Sequence, residues 1–241
     1  MASKRTTVGS PSTSLDVVCC RILDGRLTVL RTAPSAARGK SARRSATPDS
    51  TSTLPWVAFT AGGPTTIDVA GARLARSVLE AAPSWITQLG AFNGGGAHPS
   101  RAALSVAYLA VVPADTDAPE GMAWIPVETQ AGLPPRQRAM LSSALVTLRE
   151  RMDVAPVAFR MLPAVFTLSD LQQVYELLLG RTLHKASFRR ALQGAYLVAP
   201  TGAWRSEGRG RPAQLFRYAP RKRKRGTAGA SRRPVRFELL G

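Results

Sequence analysis

Apolar residues recur at helical spacing twice between Leu171 and Leu192, and the two runs are separated by a glycine and a short link. In the first run Leu171, Val174, Tyr175 and Leu178 fall at offsets of zero, three, four and seven, which places them in one stripe along a helix. Thr167 or Ser169 stands ahead of the run as an N-cap, and Gly180 stops it where a residue just past a C-cap belongs. In the second run Phe188, Ala191 and Leu192 form the buried face. The opposite face carries Ala186, Arg190 and Gln193, flanked by Ser187 and Arg189. Two short helices joined by a tight glycine-containing turn, the second one basic outside, make a helix-turn-helix pattern.

The next residues extend that pattern. Tyr196–Val198 and Gln214–Tyr218 are rich in strand-favouring residues, and between them Gly202–Pro212 forms a glycine-punctuated basic hairpin tip. Helix, turn, helix and basic hairpin together make a winged helix. Arg209-Gly210-Arg211-Pro212 also resembles the core of AT-hook segments, in which an extended Arg-Gly-Arg enters a narrow minor groove.

Charge supports the same end of the chain. The 241 residues carry a formal net charge of +18. Residues 161–241 hold 16 Lys and Arg against 4 Asp and Glu, a net of +12, and the first 160 hold 17 against 11, a net of +6. Two-thirds of the excess therefore lies in the last third, an electrostatic footprint for phosphate. Arg221–Arg225, with Arg232, Arg233 and Arg236 beyond, is a block of like charge without periodicity, of the kind that binds phosphate without sequence preference.

The rest of the chain reads as a separate α/β domain. Residues 1–14 are Ser/Thr-rich and read as disordered. Leu15–Arg31 reads as a hairpin with Asp24-Gly25 at its turn. The 22 residues Thr32–Thr53 lack periodicity and read as a mobile loop. Leu54–Phe59 is a strand candidate leading to Gly62-Gly63. A helix over Asp68–Ala82 is expected to pack Val69, Ala72, Leu74, Val78 and Leu79 inward and to present Arg73, Arg76 and Glu80. Strands follow at Leu104–Pro113 and Trp124–Val127, then a long helix over Arg136–Met152 opened by Pro134-Pro135, with Met140, Leu141, Ala144, Leu145 and Leu148 as its apolar face. Val157–Leu162 is the candidate first helix of the winged-helix domain. The neighbouring Cys19 and Cys20 lie in a strand, where a mutual disulfide would be strained. No Cys/His cluster points to zinc, so no metal site is expected. With no apolar stretch of 18 residues and no signal core, the expected location is the cytoplasm, associated with the nucleoid.

Hairpin, Trp-containing strand, helix, further strands and helix resemble a Nudix α/β/α sandwich. The Nudix hydrolase signature sets carboxylates along one helix to hold Mg²⁺ against a pyrophosphate. Read from Gly62, Asp68 takes the first Glu position, Arg76 the Arg and Ser77 a Glu; Val78, Glu80, Ala81 and Pro83 follow. Read from Gly63, Val69, Ser77, Val78, Ala81 and Ala82 leave no acid at all. A degenerate Nudix-like domain (15–152), a smaller winged helix-turn-helix domain (153–220) and a basic tail (221–241) resemble one family, the Nudix-related transcriptional regulators of NAD metabolism (NrtR-type). The similarity is carried by FTLSDLQQVYELLLGRTL, KASFRRAL and GRGRPAQLFRYAP, supported by WITQLGAF before SVAYLAVVP.

The resemblance implies a homodimeric repressor of NAD biosynthesis or salvage genes, with ADP-ribose or a related NAD metabolite as effector and no required cofactor or catalytic residue. Arg–phosphate contacts need no metal, and Arg21, Arg76 and Arg101 are the candidates for them. Lys185, Ser187, Arg189, Arg190 and Gln193 are expected in a major groove, with Arg205, Arg209 and Arg211 on the wing reaching the minor groove or backbone of a palindromic duplex. An effector would change the spacing of the two heads. The alternative is a Nudix-type hydrolase of ADP-ribose or a related nucleoside diphosphate derivative. An RNA-binding protein is a third reading, though no RNP-type aromatic motif is present.

Overall fold

The computed structural model describes residues 13–33, 52–59, 65–94, 98–152, 157–194, 197–206 and 212–219. They fall into two compact units, the first drawn from residues up to Cys20, Thr28–Ala110 and Asp117–Ala144, the second from Arg21–Leu27, Val111–Thr116 and residues from Leu145 on. The end of the long second helix thus groups with the second unit. Gly62-Gly63, Tyr196, Arg209, Arg211, most of the Thr32–Thr53 stretch and the basic tail lie outside the described residues.

β1 (Thr13–Leu23) and β2 (Arg26–Thr32) make the expected hairpin. Asp24 and Gly25 at its turn have φ of 49° and 70°, as a tight turn of two left-handed residues requires. Thr13 and Ser14 belong to β1 rather than to a disordered leader, and Ser14 is buried. Both ends of the expected loop after β2 are fastened as well: Thr32 N donates to Thr53 O at 2.9 Å, and Thr53 N to Thr32 Oγ1 at 2.8 Å.

β3 (Trp56–Phe59) pairs antiparallel with the start of β1, from Thr13↔Phe59 to Asp16↔Trp56. β4 (Trp85–Phe92), β5 (Leu104–Val111) and β6 (Met122–Pro126) complete a sheet ordered β4-β5-β1-β2-β6. Ser14 to Arg21 of β1 are all buried, so the strand is covered on both faces. α1 (Ile67–Leu79) and α2 (Pro135–Arg151) provide the covers. Ser105 of β5 meets Arg136 of α2, while Tyr108 of the same strand meets α1. Residues three apart in a strand face opposite ways, which puts the helices on opposite sides. The result is a Nudix-like α/β/α sandwich.

α1 departs from the sequence expectation. Its buried residues are Gly71, Ala75 and Leu79, whereas Val69 is 45% exposed and Ala72 is exposed. The cause is Tyr108: a Cβ on Gly71 would lie 2.4 Å from its ring, so the helix rests on the sheet through its smallest residues. The helix ends at Leu79, with Glu80 in the left-handed C-cap conformation (φ 54°). In α2 Met140, Leu141, Ala144 and Leu148 are buried as expected, and Leu145 is half-buried. Among the described residues no helix is long and apolar enough to cross a membrane.

In the second unit, α3 (Val157–Arg160) is a single turn whose Phe159 packs on Phe166 and Tyr218, ring centroids 5.7 and 4.6 Å away. β7 (Phe166–Thr167), α4 (Leu168–Leu179), α5 (Lys185–Gly194), β8 (Val198–Arg205) and β9 (Ala213–Tyr218) follow. The antiparallel sheet β7-β9-β8 completes a winged helix.

Candidate nucleic-acid interface

The turn between α4 and α5 is built by side chains of α4. Thr167 is the N-cap, accepting from Asp170 N at 3.0 Å, while Asp170 Oδ2 accepts from Thr167 N at 2.9 Å. This reciprocal capping box satisfies two otherwise orphaned donors. Gly180 closes the helix at φ 69°, where a Cβ would be strained. Glu176 Oε1 then accepts from Leu183 N at 2.8 Å, and Gln172 Nε2 donates to Leu183 O at 3.0 Å. Those bonds fix the direction in which α5 departs. Tyr175 and Phe188 meet edge-on at 5.4 Å and set the packing of the two helices.

α5 opens on His184, whose Nδ1 accepts from Ser187 N at 3.4 Å and lies 3.1 Å from Ser187 Oγ. An acceptor Nδ1 leaves the imidazole proton on Nε2. Ser187, expected to contact DNA, is therefore engaged in the helix's own cap. Phe188 and Leu192 are buried, and Lys185, Arg189, Arg190 and Gln193 are exposed. Lys185, Arg189 and Gln193, four residues apart, form one stripe along a cleft of about 540 Å³ that also takes in Ser169, Trp204 and Gln214. Arg190 is not part of that lining.

Arg205, expected on the outer wing, points the other way. Its Nη2 lies 2.9 Å from Asp170 Oδ1, so it ties β8 to the first turn of α4 and positions the wing. Sequence reasoning missed Trp204, His184 and Asp170. The signal for two of them was present, because a polar residue three before Ser187 and an acid three after Thr167 are N-terminal cap signatures.

The three arginines expected to meet a ligand's phosphates stand in different settings. Arg21 is buried and donates to the carbonyls of Ala114 and Thr116. Arg76 is exposed on α1, and Arg101 is exposed at φ 59°. The first unit instead gathers an unforeseen polar cluster around Asp16, which is fully buried. Asp16 Oδ1 accepts from His98 Nε2 at 2.8 Å and Gln137 Nε2 at 2.9 Å, and Oδ2 from Ser14 at 2.9 Å. The buried Arg136 and Arg31 find only carbonyls and a hydroxyl among their hydrogen-bond partners, the former at Ala102, Gly94, Asn93 and Ser105, the latter at Thr129, Ser52 and Ala131. Burial pulls the Arg31 pKa down from its usual value.

Residues 158–218 match the family model of the NrtR DNA-binding winged helix domain. A stretch of 80 residues is 35% identical to the ADPR responsive transcriptional repressor NtrR of Acinetobacter baylyi; the match spans about a third of each chain (33% here, 32% there). The fold is similar to that of Shewanella oneidensis NrtR complexed with a 27mer DNA, at a TM-score of 0.69 and 25% identity, covering 86% of this chain and 94% of that one. It is also similar to a MutT/nudix family protein from Enterococcus faecalis, at a TM-score of 0.61 and 17% identity over 88% and 89% of the two chains. Residues 158–218 thus form a winged helix of the NrtR DNA-binding type, following a sheet of Nudix-like fold.

Proposed function

We propose that this protein is a sequence-specific DNA-binding transcriptional regulator: a homodimeric repressor of NAD biosynthesis or salvage genes, modulated by ADP-ribose or a related NAD metabolite. The observation that carries the proposal is the stripe Lys185, Arg189 and Gln193 along the exposed side of α5, on a winged helix of NrtR type. Two cations and an amide on a second helix suit phosphates and base edges of a major groove. The named activity of the Acinetobacter relative supports the repressor and the ADP-ribose response. Residues 153–220 would then bind DNA, and residues 15–152 would dimerise the chain and sense the metabolite.

The placement of the acids on α1 supports a role other than hydrolysis. Asp68 lies in the first turn and accepts from the Tyr108 hydroxyl at 3.1 Å, while Glu80 is the C-cap. Twelve residues of helix separate them by about 18 Å, too far to share a divalent ion against one pyrophosphate. Among the described residues no three His, Cys, Asp or Glu side chains are grouped as metal ligands.

Genome-wide immunoprecipitation of bound DNA tests the proposal, with enrichment expected at promoters of NAD genes around a common palindrome. A gel-shift titration on that palindrome, with and without ADP-ribose, tests the effector. Absence of any enriched motif refutes regulation, and turnover of ADP-ribose with Mg²⁺ or Mn²⁺ would establish the hydrolase instead.

A further inference from the structure

We infer that Trp204 is a DNA-contacting side chain whose indole packs on the sugar and base-edge surface of the strand whose phosphates Lys185 meets. This rests on the DNA-binding reading above. Trp204 is 56% exposed, the highest value among the exposed large hydrophobic residues described. An indole left in water forgoes the gain from burying its apolar surface.

Its position is built, not incidental. Between the pairs Pro200↔Phe216 and Trp204↔Gln214, β8 advances four residues while β9 advances two. The surplus forms a bulge, a device that re-aims the side chain beyond it. Thr201 Oγ1 donates to Leu215 O at 3.0 Å and accepts from Ala203 N at 3.3 Å, and Gly202 takes φ 81°, which a side chain would strain. The bulge delivers Trp204 to the cleft that Lys185, Arg189 and Gln193 line from α5.

A partner for that cleft must offer anionic groups and a flat apolar surface within one side chain's reach. A nucleic-acid duplex does so by alternating phosphates with the deoxyribose faces, base edges and thymine methyls of its grooves. An acidic peptide has the charge without the flat surface, and an apolar protein patch would leave Lys185 and Arg189 unpaired.

The contact has a signature that a charged residue lacks. Packing an indole releases no counterion, so it contributes affinity that salt does not screen. The experiment uses the full chain and a duplex that the wild-type protein selects from a random library, titrated by fluorescence anisotropy at several salt concentrations. Trp204→Ala is expected to weaken binding about tenfold, from the apolar area left in water, with an unchanged slope of log K against log salt. Lys185→Ala is expected to lower that slope by about 0.9. Trp204→Phe should recover most of the loss and abolish the change in tryptophan emission that DNA causes in the wild type. Wild-type affinity in Trp204→Ala overturns the inference while leaving DNA binding intact. So does a loss accompanied by a change of slope or of oligomeric mass. If the wild type selects no duplex, the DNA-binding reading itself falls.

Discussion

A single carboxylate organises the interior of the first unit. Asp16 is fully buried and has two oxygens for three donors, from Ser14, His98 and Gln137. His98 Nδ1 accepts from Ser100 N at 3.1 Å, which leaves the Nε2 proton for Asp16. Asp16→Ala would strand those donors in a dry core, and we predict a loss of about 3 kcal/mol in urea unfolding. Asp16→Asn should cost clearly less. Its oxygen in the place of Oδ1 still receives His98 and Gln137, and its amide can donate to Ser14, whose own proton can turn to Ser105, 2.8 Å away. Equal losses in the two variants would show that the charge, not the hydrogen-bond pattern, is what the site needs. On the same strand Cys19 and Cys20 are fully buried, and burial pushes the Cys20 thiol up to about 12 and raises Cys19 as well. Neither should react with a thiol reagent in the folded protein at pH 8. The folded state holds these protons when the unfolded chain loses them. Their contribution to stability is therefore complete below the unfolded thiol pKa of about 8.5 and declines as pH rises above it. Rapid labelling at pH 8 without denaturant would contradict this burial.

Elements differ in how much of their packing the chain announces. α4 was legible because its stripe, N-cap and C-cap agree: Thr167, Asp170 and Gly180 bracket Leu171, Val174, Tyr175 and Leu178, all four of them buried. α1 was not, because reading burial from apolarity favours the largest side chains, and here the closest approach belongs to the smallest. Gly71, Ala75 and Leu79 recur every four residues and face the sheet, leaving Val69 outside. Nothing local to residues 67–79 says that Tyr108, remote in sequence, fills the space. On α5 the sequence pattern centred the outer face on Ala186, Arg190 and Gln193, whereas Lys185, Arg189 and Gln193 line the cleft, and the aim of Trp204 depends on the bulge around Thr201 and Gly202 of β8. Arg205 was misplaced for a similar reason, its partner Asp170 being 35 residues away. α1 offers a test by sign. Gly→Ala inside a helix ordinarily stabilises by up to about 1 kcal/mol. Gly71→Ala would put a methyl 2.4 Å from Tyr108 Cε2, an overlap with a buried ring that cannot swing aside. We predict destabilisation of about 1–3 kcal/mol, seen as a lowered melting temperature. A raised one would show that α1 can lift off β5.

At the scale of the whole molecule, the proposed DNA binding would divide its work between charge and shape. The excess of positive charge is concentrated from residue 161 on, but it is of two kinds. Lys185 and Arg189 are fixed on a helix whose direction is set by Glu176, Gln172 and the Tyr175–Phe188 contact. Arg221–Arg225, with Arg232, Arg233 and Arg236, is a run of cations whose sequence carries no periodic pattern. Fixed cations near base edges discriminate sequences, whereas a bare charge run attracts any phosphate backbone and adds to the salt dependence. Removal of residues 221–241 is therefore expected to weaken binding to selected and random duplexes by similar factors. It should also reduce the slope of log K against log salt by about 0.9 for each phosphate that the tail no longer neutralises. Arg189→Ala with Arg190→Ala should do the opposite. Affinity for the selected duplex should collapse toward that for random DNA, while the residual binding keeps most of its salt dependence through the tail. The two titrations, run side by side on both duplexes, decide between these roles. Loss of discrimination on deleting the tail, with the double variant still selective, would move sequence readout from α5 to the C-terminal charge run.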